Sequence, residues 1–343
     1  MAKITPKENY LRLGRGEIPA YVPAFTMMGD GYLGEASCKT LAPQVFKQNH
    51  FTDGGYDMWG VRYVADENTG ATLPEPGNFM LEDIDDWEKV IKYPERPEGL
   101  DYEMMYKHDL EKSGIDRTQS CVLAGAGLMP FQELVALMGF TEGLCALATD
   151  PDQVSDMLNS MIDWIEPVMY ATVEYYKPDI WYILDDTCAK QMPFFSHDTY
   201  VEVFKPLYFR LAKPAIDRGI PIEFHNCGKC ETLFQDMIDF GVKYIDPAQE
   251  SNDLLQAKKD YKGKLCLVGC WDWDTHIPKG WPDTFDEEEV RQGIRDTIDK
   301  YSVDGGYAFC GGVPGKTEIV KRINQVVKDE VHWYGRKVYG YKD

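Results

Sequence analysis

The sequence lacks the features that mark membrane, secreted and nucleic-acid-binding proteins. No stretch approaches the roughly 20 apolar residues that a membrane-spanning helix needs, and the first eight residues contain no apolar signal core. Basic residues are scarce: 36 Lys and Arg stand against 57 Asp and Glu, a net charge of −21. This charge repels nucleic acid and anionic lipid surfaces. We therefore expect a cytoplasmic protein that binds neither nucleic acid nor a membrane.

The chain also lacks a disulfide framework and an obvious linker. Its nine cysteines are odd in number, and several of them, such as Cys121, Cys145 and Cys266, lie in apolar runs, which is typical of buried thiols in a reducing compartment. No repeat, low-complexity tract or linker rich in Pro, Gly or Ser divides the 343 residues. We expect a single domain over residues 1–343.

Short apolar runs bounded by Gly, Pro or Asp alternate with longer segments of helical periodicity. The clearest helical segment spans Asp150 to Tyr176, with Asp150 as the N-cap, Pro151 in the first turn and Pro167 expected to bend or interrupt it. Further helices are predicted at 196–217, 228–240, 285–300 and 316–329. Strands are predicted at 19–26, 120–124, 179–184, 220–224, 242–245, 265–268 and 306–309. The alternation predicts an α/β fold, a (β/α)8 TIM barrel with N-terminal loops and helices covering the barrel mouth.

Two motifs of other folds are incomplete. The glycines of Gly125-Ala-Gly127 fit a dinucleotide-binding fingerprint, but Pro130 stands where its third glycine is required. They indicate instead a tight turn after a strand. Asp274-Thr-His276 is similar to the loop through which corrinoid proteins hold cobalt by histidine, but the following glycine comes one residue late. We interpret it as a loop on the barrel rim.

Possible metal ligands gather at the predicted strand ends. His225 and Cys227 are two residues apart, so in an extended strand end they point to the same side, and Cys310 follows a later strand. One imidazole and two thiolates suit zinc, and three protein ligands leave a position open for chemistry. Cys230 is an alternative fourth ligand. The alternative for His225 and Cys227 is that each is an ordinary buried residue that binds no metal. Asp185-Asp186, Asp246 and Cys270-Trp-Asp272 would share this rim of the barrel.

Three segments together resemble the uroporphyrinogen decarboxylase superfamily of (β/α)8 barrels. They are Asp57-Met-Trp59-Gly-Val, His225-Asn-Cys227-Gly and Gly305-Gly-Tyr-Ala-Phe-Cys310-Gly-Gly-Val-Pro. Within this superfamily, His-x-Cys with a distant Cys is similar to the zinc-containing, cobalamin-dependent methyltransferases. The resemblance implies that His225, Cys227 and Cys310 are the zinc ligands. It also implies that Asp185 or Asp186 completes the zinc sphere until substrate displaces it, although either could instead cap a helix or support the histidine.

The decarboxylases themselves hold substrate carboxylates with two arginines of an N-terminal loop. The matching segment here, Thr26-Met27-Met28-Gly29-Asp30-Gly31, contains no arginine, and Asp30 would repel a polycarboxylate. The remaining candidates for substrate contact lie in the same N-terminal region, where aromatic and thioether side chains could stack a ring or simply pack in a core. They are Met27, Met28, Asp30, Tyr32, Asp57 and Trp59.

The resemblance implies transfer of a methyl group from a small donor, with a methoxylated aromatic as the first guess, to the cobalt of a separate corrinoid protein. The cofactors would be Zn2+ and the cobalamin that this partner carries. The alternatives are a methylcobalamin:thiol methyltransferase of the coenzyme M type, a metal-free decarboxylase, and a non-catalytic binding barrel.

Overall fold

The computed structural model describes residues 3–25, 37–43, 54–66, 72–95, 99–125, 127–277, 284–315 and 317–342. Within them, strands β1 to β10 are Cys38–Thr40, Gly55–Tyr56, Arg62–Ala65, Thr72–Pro74, Cys121–Gly125, Ile180–Leu184, Ile222–His225, Val242–Ala248, Cys266–Cys270 and Tyr307–Cys310. Helices α1 to α13 are Pro6–Gly14, Trp87–Val90, Tyr102–Ser113, Pro130–Met138, Phe140–Thr149, Pro151–Ala171, His197–Thr199, Lys205–Ile216, Phe234–Asp239, Leu254–Asp260, Trp273–His276, Glu287–Tyr301 and Glu318–Lys337. Short 3-10 turns occupy Ile84–Asp86 and Glu231–Leu233, and π-helical turns occupy Thr172–Tyr176 and Tyr200–Phe204.

A parallel sheet that closes on itself forms the centre of the fold. Among the described residues, seven strands pair in the order β1, β5, β6, β7, β8, β9 and β10. Ala24 bridges in parallel to Phe309 of β10, and its carbonyl accepts a 3.2 Å hydrogen bond from the backbone of Ser37, just before β1. The segment at Ala24 therefore occupies the remaining strand position of the barrel, between β10 and β1, and closes the sheet. The predicted (β/α)8 barrel is confirmed.

Helix α1 closes the N-terminal end of the barrel. Thr5 caps this helix, and Pro6 suits its first turn. The Tyr10 hydroxyl lies 3.0 Å from each carboxylate oxygen of the buried Glu223, and the Gly14 amide donates to the Tyr244 hydroxyl at 3.0 Å. Ring stacking of Tyr10 on Tyr244 at 5.0 Å adds an apolar contact. The open end is therefore the one at which the strands terminate.

The helices pack around the strands as a second apolar layer. The predicted apolar face of α6 is fully buried, with Val154, Met157, Leu158, Met161, Ile162 and Ile165 in the core. Helix α6 continues through Pro167 to Ala171 and then widens into a π-helical turn, so the predicted interruption at Pro167 is wrong. A proline costs its own backbone hydrogen bond, and the buried face of α6 outweighs this loss.

The sequence did not predict β1, the helices α1 to α5, α10 and α11, or the small antiparallel sheet of β2, β3 and β4. The small sheet belongs to the N-terminal region, and just after it the Leu81 amide donates to the Leu137 carbonyl of α4 at 3.0 Å. No single helix of the described ranges is long and apolar enough to cross a bilayer, although α4 and α5, bent by 113° to each other, pass that test as a pair.

An ion-pair cluster joins α12 to α13. Glu330, only 2% exposed, accepts hydrogen bonds from Arg295 at 2.6 Å and Arg291 at 2.9 Å.

We expect Glu330→Gln to lower the free energy of unfolding by about 1–3 kcal/mol, because two guanidinium groups lose their shared charged partner. Glu288→Gln is the matched control, since Glu288 contacts the same Arg295 from an exposed position, where ion pairs contribute little. Urea unfolding of both variants checks this, and equal losses would contradict it.

Candidate metal centre

Three neighbouring strands bring their ends together at the open rim. β6 leads directly into Asp185 and Asp186, β7 ends at His225, and β8 contains Asp246. In the ladder, Leu184 pairs with His225, and His225 pairs with Asp246. Because the strands are parallel, these side chains share the C-terminal edge, where barrels of this type place their chemistry.

Asp186, His225 and Cys227 form a compact group of possible ligand atoms. One carboxylate oxygen, one ring nitrogen and the sulfur all lie within 4.8 Å of one another. His225 Nε2 is 3.4 Å from Cys227 Sγ and 3.6 Å from Asp186 Oδ1. A tetrahedral zinc ion with bonds of about 2.0–2.3 Å separates its ligand atoms by about 3.5 Å. The spacing and the mixed N, S and O donors therefore fit zinc.

Asp246 controls the orientation of the His225 ring. Its Oδ2 lies 3.0 Å from His225 Nδ1 and also accepts a 3.0 Å hydrogen bond from the Tyr182 hydroxyl. Burial lowers the pKa of His225, but the charge and hydrogen bond of Asp246 outweigh it and raise this pKa well above its usual value. With Nδ1 engaged by Asp246, Nε2 is left to face Cys227 and Asp186, the arrangement that metal-binding histidines use.

The turn after β7 is fixed by amide hydrogen bonds. Asn226 exchanges hydrogen bonds with Thr187 through both ends of its side-chain amide. The buried Asn252 accepts from the Cys230 amide at 2.8 Å and donates to the Gly228 carbonyl at 2.9 Å. Asp186 accepts from the Cys227 backbone at 2.8 Å. Cys227 is therefore held in place before any ion arrives.

The two adjacent aspartates have different environments. Asp185 is fully buried, and its carboxylate accepts from the Phe131 and Gln132 amides at 2.7 and 2.9 Å and from the Tyr208 hydroxyl at 2.8 Å. It thus caps α4 from outside that helix. Burial raises the pKa of Asp185 to about 7, although these hydrogen bonds act against the shift. Asp186, not Asp185, is the carboxylate beside His225 and Cys227.

The other predicted ligands, Cys310 and Cys230, are not members of this group. Cys310 ends β10 and is partly buried. Its side chain packs against the buried cluster that includes Val268 and Ala308, but its sulfur is not among the atoms within 4.8 Å of one another. Burial raises the pKa of this thiol, and the charges of Asp246, Glu223 and Cys227 raise it further. The Cys230 thiol is 1% exposed and donates to the Asn226 carbonyl at 3.6 Å.

The candidates for substrate contact are divided in the structure. Met27, Met28, Asp30 and Tyr32 lie outside the described residues. Trp59 is 3% exposed and packs edge-on against Trp164 at 5.4 Å and Tyr93 at 6.0 Å, so it lies in the core. Asp57 begins the turn between β2 and β3, and its Oδ1 accepts from the Trp59 and Val61 amides at 2.9 and 2.8 Å.

His276 ends the short helix α11, so the loop predicted at Asp274-Thr-His276 is wrong, and its side chain is engaged elsewhere on the rim. Its Nε2 lies 3.0 Å from Glu250 Oε2, and its ring stacks on Trp271 at 5.4 Å.

The sequence shows Asp246 at a strand end but carries no signal that it faces His225. That relationship depends on the pairing register of β7 and β8, which includes an irregularity between Ile222 and Glu223.

We predict that Asp246→Asn raises the dissociation constant for zinc about 10–100-fold, because His225 loses the carboxylate that orients its ring. Competition with a chromophoric chelator measures the constant. Asp260→Asn, an exposed aspartate on α10, is the control for the lost charge. An unchanged constant in the Asp246 variant would exclude this orienting role.

Gly228 is a second point at which the centre should be sensitive. Its φ is +89°, and a Cβ there would lie 2.5 and 2.6 Å from the Ala189 and Cys188 carbonyl oxygens. Gly263 has a similar φ of +73° with no atom within 4 Å of that position. We expect Gly263→Ala to cost about 1 kcal/mol from the backbone alone. Gly228→Ala should cost more and also weaken zinc binding, as urea unfolding and zinc titration would show. Equal effects of the two substitutions would refute the steric argument.

The chain matches the uroporphyrinogen decarboxylase (URO-D) family over residues 57–319, more than half of its 343 residues. Among solved structures it is similar to a methyltransferase from Methanosarcina mazei, at 15% sequence identity and a TM-score of 0.59, over 97% of this chain and 100% of that chain. At this identity the likeness shows a common fold. No curated protein sequence matches it. The chain belongs to the uroporphyrinogen decarboxylase family.

Proposed function

We propose that the protein is a zinc-dependent methyltransferase that moves a methyl group from a small methylated donor to the cobalt of a separate corrinoid protein. The observation that carries the proposal is the group formed by Asp186, His225 and Cys227 at the open rim of the barrel. The similar fold of the Methanosarcina mazei methyltransferase supports the reaction class.

His225 and Cys227 are the proposed permanent zinc ligands, with Cys310 as the third and Asp186 as a replaceable fourth. Zinc bound there would act as a Lewis acid on the heteroatom that carries the methyl group and would make that heteroatom a better leaving group. The donor set is appropriate, because thiolate and imidazole are preferred zinc ligands.

The residues of the chain would prepare this site in three ways. Asp246 holds His225 so that Nε2 faces Cys227. The Cys227 amide holds Asp186 beside both. The Asp186 side chain is 33% exposed, whereas Asp185 is fully buried and accepts a hydrogen bond from the Phe131 amide of α4. Of the two aspartates, only Asp186 is therefore placed so that an incoming heteroatom could displace it.

The zinc-loaded protein, a methoxylated aromatic compound and a reduced corrinoid protein should together produce methylcobalamin absorbance and a free phenol. Cys227→Ser and His225→Ala should lower the rate at least 100-fold and lower the zinc content, whereas His276→Ala should change neither. A second reaction with methylcobalamin and coenzyme M tests the thiol-directed alternative. Full activity after complete removal of zinc, or no methyl transfer in either reaction, would refute the proposal.

The role of Cys310 needs its own measurement. We expect Cys310→Ser to weaken zinc binding, because it replaces a thiolate ligand by a hydroxyl group with little affinity for zinc. Cys270→Ser, at the position paired with Cys310 in the neighbouring strand, is the matched control. X-ray absorption of the zinc-loaded protein should count two sulfur ligands in the unsubstituted protein and one in the Cys310 variant. A single sulfur in both would assign Cys310 a role outside the metal sphere.

A further inference from the structure

Tyr182 shares one face of β6 with the candidate metal centre but is not a member of the ligand group. From this tyrosine onward, Tyr182, Leu184 and Asp186 are partly exposed, whereas the residues between them are buried. Side chains two apart on an extended strand point to the same side. Because Asp186 belongs to the ligand group, the face that carries Tyr182 is the one that turns toward the open end of the barrel.

The Asp246 carboxylate has a single anchor apart from His225. Its Oδ2 accepts a hydrogen bond from the Tyr182 hydroxyl at 3.0 Å and lies 3.0 Å from His225 Nδ1. Its Oδ1 is buried and forms no hydrogen bond. Within the described ranges, Tyr182 is therefore the one group other than His225 that holds this carboxylate by a hydrogen bond.

A second contact on the same oxygen restricts the carboxylate. The terminal torsion of an aspartate is broad and nearly two-fold, so a carboxylate held by His225 alone would present either oxygen to the ring. The hydrogen bond from Tyr182 selects Oδ2 and fixes the direction from which it meets Nδ1. The orientation of His225 therefore depends on a residue that has no contact with the ligand atoms themselves.

Tyr182 is itself held in place. Its ring lies 6.5 Å from the ring of Phe25 and 6.4 Å from that of His225, measured between ring centroids. Strand β6 pairs with β7 on one side, where Leu184 lies beside His225. Burial raises the pKa of Tyr182 well above its usual value, and the charge of Asp246 raises it further. The hydroxyl therefore keeps its proton and acts as a donor.

We propose that Tyr182 is a positioning residue of the metal centre, which acts on His225 only through the Asp246 carboxylate. The path runs from β6 to β8 and back to β7, and it ends at the nitrogen that faces Cys227. The inference rests on the zinc centre of the proposed function. It concerns the affinity and geometry of that centre rather than methyl transfer.

Tyr182→Phe removes the hydroxyl and keeps the ring. We expect it to raise the dissociation constant for zinc about 3–10-fold, less than the loss of the Asp246 carboxylate itself, because Asp246 keeps its contact with His225. Chelator competition with the full chain, without a methyl donor or a corrinoid protein, measures the constant. The visible absorption bands of the cobalt-substituted protein, which report ligand geometry, should shift as well.

Tyr244→Phe is the matched control. Tyr244 is a buried tyrosine on β8 whose hydroxyl accepts from the Gly14 amide at the opposite end of the barrel. Its substitution should lower the free energy of unfolding in urea but leave the dissociation constant and the cobalt bands unchanged. A general loss of barrel stability would affect both variants alike, whereas the proposed path affects only Tyr182→Phe.

A double-mutant cycle tests whether the effect passes through Asp246. In the Asp246→Asn background, Tyr182→Phe should change the dissociation constant by less than about twofold, because the path is already broken. A direct contact between the Tyr182 hydroxyl and the ion would give the same factor in both backgrounds. That result, or an unchanged constant and unchanged cobalt bands in Tyr182→Phe alone, would overturn the inference.

The cycle also separates this inference from the proposed function. If zinc binding follows the expected pattern but no methyl group reaches a corrinoid protein, the proposed function fails and the role of Tyr182 stands. If methyl transfer requires zinc while Tyr182→Phe binds zinc as the unsubstituted protein does, the role of Tyr182 fails and the proposed function stands. Absence of zinc binding by the unsubstituted protein would overturn both.

Discussion

The hydrogen bond between Asp246 and His225 is the constraint on which the centre depends. It joins β8 to β7 across the barrel ladder and uses one ring nitrogen at 3.0 Å. The other nitrogen then has a fixed direction, toward a sulfur 3.4 Å away and a carboxylate oxygen 3.6 Å away. A free imidazole would rotate about its own bonds and present either nitrogen. Here the strand pairing itself selects one, so the geometry of the barrel determines the geometry of the ligands.

Asp185 and Asp186 show how a single strand end serves two purposes. Neighbouring residues of an extended chain point in opposite directions. One aspartate therefore reaches outward to the N-terminus of α4, and the other reaches toward Cys227. The spacing of the sequence identifies the pair but not the direction of either member, since that depends on which face of β6 lines the barrel. The packing of Tyr208 and α4 against Asp185 decides the assignment.

Most of the barrel could be predicted, because its strands are short apolar runs and helices such as α6 have a strong apolar face. Strand β1, which escaped prediction, lacks that signal. β1 has three residues, one of them a lysine, and it is a strand only because β5 pairs with it. At the centre, the His-x-Cys spacing was visible because both side chains come from one strand end. Asp246 was visible only as a rim residue, not as the partner of His225, and Asn252 was not visible at all, since both act on β7 from other segments of the chain.

The closed base of the barrel has a consequence for the order of events at its rim. Tyr10, stacked on Tyr244 and bonded to Glu223, fills the end opposite the strand termini. Among the described residues, the end at which the strands terminate is therefore the one from which a small molecule, or a protein that docked over His225, would reach the centre. A docked protein would block this end of the barrel. A small molecule would therefore have to bind before the protein docks and could leave only after the protein has dissociated.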